Sequence, residues 1–157
     1  LYFSASLAWI DDCGFCEPRY IGLARAASPE GPFTPETEPV IDPARDVLPG
    51  VLGAGAIKVL PLADGYAGLQ NKIYRDPGGR SRSALFVLRS EDGVSWESAR
   101  PEPLISPGSG WTASHVYACD CRFRESDGRW YLYFNARDGW RISEGRERIG
   151  RIVGTPA

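Results

Sequence analysis

Apolar and aromatic residues recur at alternate positions in short runs along the chain, separated by clusters rich in Gly, Pro, Asp and Ser. A period of two residues bounded by turn formers predicts strands, here over 1–5, 20–24, 56–62, 66–74, 84–88, 115–123, 132–136 and 148–152. No stretch sustains a helical period. The pattern also repeats. Leu1-Tyr2-Phe3-Ser4-Ala5, Trp9 and Tyr20-Ile21-Gly22-Leu23-Ala24 are matched by Leu132-Tyr133-Phe134-Asn135-Ala136, Trp140 and Arg148-Ile149-Gly150-Arg151-Ile152. Both segments read as one hairpin, with a long polar loop and a second strand that carries Ile-Gly.

A second element recurs as well. The turn Ser28-Pro29-Glu30-Gly31-Pro32-Phe33 corresponds to Ser90-Glu91-Asp92-Gly93-Val94-Ser95-Trp96, and each is followed by a short apolar run, Pro39-Val40-Ile41 and Pro103-Leu104-Ile105. About four strands then fall in each 60-odd residues, which is the spacing of antiparallel propeller blades. The expected architecture is all-β: a partial five-bladed β-propeller of about two and a half four-stranded antiparallel blades in a single domain. Residues 1–43 would end one blade, 54–106 form a whole one and 113–157 start the next. A propeller needs at least four blades, so the chain reads as an internal piece of a longer protein, in keeping with its lack of Met.

Composition narrows the classes. The 157 residues include 18 Gly and 13 Pro, too many breakers for a helical bundle, and 5 Trp, 7 Tyr and 6 Phe, too many aromatics for a disordered chain. The formal net charge is -2, and the basic residues are scattered, so neither a nucleic-acid partner nor its electrostatic footprint is expected. No apolar run approaches the roughly 20 residues of a bilayer span, and no membrane partner is expected. Compartment is left open.

Asp127-Gly128-Arg129-Trp130-Tyr131-Leu132-Tyr133-Phe134, the following Ile149-Gly150, the earlier Ile21-Gly22-Leu23-Ala24 and the Ser-x-Asp-Gly-x-x-Trp turn together resemble the five-bladed propeller glycoside hydrolases. That superfamily holds arabinanases, xylosidases, invertases and related furanosidases. The resemblance implies an axial carboxylate at Asp120, eight residues before Gly128, although Cys121 stands where Pro is customary. Glycoside cleavage requires two carboxyl groups. Counting eight back from Gly65 reaches Ile57, so the second is expected in blades outside this chain. The implied function is hydrolysis of a glycosidic bond in a carbohydrate substrate. A non-catalytic propeller binding glycans or proteins is the alternative.

His115, the only His, is expected near the channel mouth as a substrate contact. Gln70, Asn71, Arg137 and Asp138 supply amide, guanidinium and carboxylate groups at strand ends, where sugars are bound by paired hydrogen bonds. Trp9 and Trp140 occupy equivalent places in the repeat and are expected to pack. Cys13 and Cys16 read as a disulfide, as part of a zinc site with Cys119 and Cys121 joined by the oxygens of Asp11, Asp12 and Glu17, or as free thiols; the spacing suits zinc only in part. No metal and no cofactor is assigned.

Overall fold

The computed structural model describes residues 1–155. It is all-β. Ten strands run in chain order: β1 (Tyr2–Ile10), β2 (Phe15–Arg25), β3 (Thr34–Pro35), β4 (Val51–Leu62), β5 (Gly65–Arg75), β6 (Ser81–Ser90), β7 (Glu97–Ser98), β8 (His115–Arg124), β9 (Arg129–Arg137) and β10 (Glu147–Gly154). Two single turns of 3₁₀ helix, Pro43–Arg45 and Gly110–Thr112, lie in the connections.

The strands form three antiparallel groups, β1-β2-β3, β4-β5-β6-β7 and β8-β9-β10. The second and third groups are not separate sheets. A parallel bridge between Ser83 and His115 joins them into one seven-stranded sheet beside the three-stranded one, and neither sheet closes on itself.

The sequence repeat has a physical cause in this arrangement. In the first group Phe3 lies opposite Gly22, and in the third Phe134 lies opposite Gly150. A Cβ on either glycine would run into the facing phenyl ring. Each ring therefore covers the bare backbone of its partner strand, so Phe and Gly recur as a pair. The short apolar runs recur because each returns to bridge a strand that precedes it. Ile21 bridges Ile41, and Leu85 bridges Ile105 in the same antiparallel sense.

The core lies between the groups. Ile21, Ile41, Ala54 and Leu88 form the contact between the first sheet and the β4–β7 group, with Tyr2 and Trp96 packed against them. Leu69 of β5 meets Cys121 and Leu132 of the third group. The first contact is close: a Cβ on Gly53 would stand 2.7 Å from the Pro18 carbonyl oxygen. Ser4 Oγ donates to the Gly55 carbonyl at 2.8 Å across the same seam.

The two tryptophans of the repeat differ. Trp140 packs against the cluster of Ile10, Cys13 and Ile73 and donates its indole N–H to Ser81 O at 3.2 Å. Trp9 is 63% exposed, contrary to the packing role expected from its equivalent position. Trp140 lies in the β9–β10 loop, which folds back onto the second group, whereas Trp9 lies within strand β1, at the rim of a cleft shared with Val51, Leu52 and Arg75.

Candidate functional site

A bulge in β8 sets the geometry around Asp120. Tyr117 lies opposite Asn135, Cys119 opposite Phe134 and Asp120 opposite Tyr133, so Ala118 is the extra residue. It adopts φ 37°, a left-handed conformation rare outside glycine. The bulge reverses the alternation, and Tyr117 and Asp120, three residues apart, share one face of the sheet. Gly55, at φ 62°, sits at the corresponding irregularity in β4.

Asp120 is half-exposed and ion-paired. Lys58 Nζ lies 2.7 Å from its Oδ1, and Arg122 Nε donates to its Oδ2 at 3.2 Å. The hydrogen bond from Lys58, aided by that from Arg122, holds the carboxyl below its ordinary range. Asp120 stands two residues past Ala118 on β8, and Ile57 stands two past Gly55 on β4, so the apolar Ile57 matches the carboxylate by its bulge and Lys58 is the next residue along. The cation that reaches Asp120 thus comes from the position beside Ile57.

His115 and Arg137 are brought together as cross-strand partners, with Glu147 opposite Arg137 on the far side. Both are buried. His115 Nδ1 is 2.6 Å from Ser114 Oγ, and its ring lies 5.4 Å from that of Phe15. Desolvation, reinforced by the Arg82 and Arg137 charges, lowers its pKa to about 4. The imidazole is neutral at pH 7. Arg137 lies over Phe15 at 4.9 Å, and its Nη2 donates to the carbonyls of Arg141, Ile142 and Glu144. Asp138 closes the same loop by accepting from Arg146 N at 2.7 Å and Arg148 Nη1 at 2.9 Å. These bonds keep it ionised, the one from the Arg146 backbone contributing most. Their polar groups thus organise the loop 138–146.

Gln70 and Asn71 are separated by the strand period, which points consecutive side chains to opposite faces of β5. Asn71 lies beside the Gly55 bulge, opposite Ala56, and its Oδ1 is buried with no hydrogen-bond partner. Gln70 points toward the first sheet, donates Nε2 to Ala54 O at 3.0 Å and leaves Oε1 unpaired.

Glu17, named from the sequence only as a possible metal ligand, emerges as a candidate acid from the tertiary structure. It lies on β2 in a partly buried setting and has no ion-pair or side-chain hydrogen-bond partner among the described residues, and desolvation raises its pKa. Tyr117 senses it. Burial, together with the carboxylates of Glu147 and Glu17, pushes that phenol above its ordinary value. The available signal was an acid inside Phe15-Cys16-Glu17-Pro18, a segment that the spacing assigned to a loop and that is in fact strand.

The cysteines are all free thiols. Among the described residues no three His, Cys, Asp or Glu side chains gather as a metal site. Burial, then the neighbouring Cys121 and Asp120, raises Cys119 to about 11, so its thiol stays protonated at neutral pH.

No protein-family model matches the sequence, and a search of curated proteins returns no match. Solved structures do. A protein named "Glycoside hydrolase" superposes with a TM-score of 0.67 at 11% identity, over 85% of this chain and 40% of its own. A second, named for a complex of BT0996 and RGII, gives a TM-score of 0.65 at the same 11% identity and the same coverages, 85% and 40%. At this identity the likeness is one of fold: the chain has a glycoside hydrolase-like fold and spans well under half the length of either neighbour.

Proposed function

We propose that the chain is part of a propeller glycoside hydrolase acting on a carbohydrate, with Asp120 as its ionised inner-strand carboxylate. The observation that carries the reading is Asp120 itself, held charged and half-exposed on β8 by Lys58 of the preceding inner strand. A carboxylate kept below its usual range suits a base, a nucleophile or a stabiliser of positive charge at the sugar, and not a proton donor. The succession of three, four and three antiparallel strands with equivalent bridges supports a blade-like repeat. So do the apolar side chains left exposed on its two flanks, Leu7 and Trp9 on β1 and Ile149 and Val153 on β10.

Glu17 is the in-chain candidate for the proton donor. Burial raises its pKa, as a proton donor requires, whereas the ion pairs of Asp120 lower that of the other acid. His115, Asn71, Arg137 and Asp138 are sugar contacts or supports for them in this reading. The substrate class follows the fold neighbours, one of which is named for a complex with RGII.

The test is release of 4-nitrophenol from 4-nitrophenyl α-L-arabinofuranoside by the full-length protein. Asp120→Asn should reduce turnover by about 10²-fold or more, the usual effect of losing a positioned acid or base. Retention within about tenfold would remove Asp120 from the chemistry. The second reading, a non-catalytic glycan- or protein-binding propeller, is favoured by the two cations that already occupy both Asp120 oxygens. It predicts that sugar is retained and no product is released.

A further inference from the structure

We infer that the seam between the first sheet and β5–β6 is a second binding site, for a neutral polyhydroxylated ligand of one or two sugar rings. A cleft of about 560 Å³ opens there, a volume in the range of small-molecule sites. It is lined by Gln70, Lys72, Asp46, Trp96, Arg45 and Glu97, with Ile41 and Leu88 as apolar floor.

Two unsatisfied groups mark this lining. Gln70 is 1% exposed, and its Oε1 accepts nothing; the indole N–H of Trp96 donates to nothing. One is an acceptor and the other a donor, and a buried polar group left unpaired costs roughly 1–3 kcal/mol. A hydroxyl satisfies either, since it donates and accepts. An anion does not suit the cleft. Lys72 Nζ is taken up by Asp46 Oδ2 at 2.7 Å and lies over the Phe86 ring at 4.5 Å. Arg45 lies near Glu38 and Asp42, at 3.9 and 4.0 Å. Both cations are thus engaged with acids, and Glu97 adds a further negative charge at the rim. A neutral ligand with several hydroxyls and an apolar ring face matches what is left, with Trp96 as the stacking surface.

Each unpaired atom is shielded from solvent, so a ligand that pairs with them also shifts the Trp96 ring on which it stacks. That movement is measurable. The full chain with ¹⁵N-labelled tryptophan is titrated with D-galactose, L-arabinose and D-xylose, each to about 100 mM, a range that captures millimolar dissociation constants. The Trp96 indole resonance, assigned by its loss in Trp96→Phe, is expected to shift saturably with at least one sugar. Gln70→Leu should weaken that binding about tenfold, the equivalent of one hydrogen bond. Ser98→Trp fills the rim from an exposed position and should abolish binding while the protein stays folded. Asp120→Asn should leave it unchanged, which keeps this site distinct from the hydrolytic reading. Absence of a saturable shift with all three sugars overturns the proposal, as does a shift that survives Ser98→Trp.

Discussion

Burial removes the His115 imidazole from water and sets it beside two arginines, and the consequence is a pH dependence of stability. The folded pKa of about 4 lies below the ordinary 6.5, so the unfolded chain binds the proton more readily between those values. His115 therefore contributes its full stability above about pH 6.5 and loses it as pH falls toward 4, a change of about 3 kcal/mol at most. Urea denaturation across that window should show a smaller loss for His115→Gln than for the parent. Ala118 makes an opposite contribution, since a left-handed alanine costs roughly 1–2 kcal/mol. Ala118→Gly should raise the urea midpoint, by about 1 kcal/mol in stability. The Lys58 contact with Asp120 also has a direction. Lys58→Met removes the main group lowering that carboxyl, so the acidic limb of any Asp120-dependent pH–rate profile should move to higher pH.

At the scale of elements, the two hairpins β1–β2 and β9–β10 show what was readable from residues alone. Their alternation, their length and the Phe–Gly pairing depend on neighbours within about twenty positions, and the spacing of Leu132-Tyr133-Phe134 against Ile149-Gly150 announces them. Gly150→Val should lose about 1–3 kcal/mol in thermal denaturation, because the new side chain overpacks against Phe134. The loop 42–50 is tied to β5 by Lys72–Asp46, with side chains 2% and 9% exposed. Breaking so buried a pair costs about 3–5 kcal/mol, so Lys72→Ala should be severely destabilised, and Lys72→Met with Asp46→Leu should recover most of the loss. Turn lengths were less legible. A two-residue and a four-residue loop carry similar Asp-Gly signatures, and only the folded chain shows that Lys58, the neighbour of Ile57, reaches Asp120.

For the whole molecule, several exposed apolar side chains lie on the flanks, with Ile149 at 72% exposure on the edge strand β10. An uncovered apolar edge promotes association. The 157-residue chain should self-associate in sedimentation velocity, and Ile149→Lys combined with Val153→Lys should shift it toward the monomer without lowering its melting temperature.

Strand period, turn residues and a repeat of about 60 residues were determined by the sequence itself, because each arises from contacts local to one hairpin or one outer strand. The candidate carboxylate Asp120 came from the resemblance and not from any local contact, as an acid eight residues before the glycine of a turn. Tertiary structure alone decided what surrounds it. The β8 bulge put Tyr117 on its face, and the packing of β4 against β8 brought Lys58 to it. The packing of β2 against β4 left Glu17 partly buried without a partner among the described residues. Gln70 and Asn71 show the same division: adjacent in the chain, they lie on opposite sides of β5, and only the placement of the neighbouring groups gives each side its environment. Desolvation and charge pairing join residues far apart in the chain, and no local pattern encodes which of them will meet.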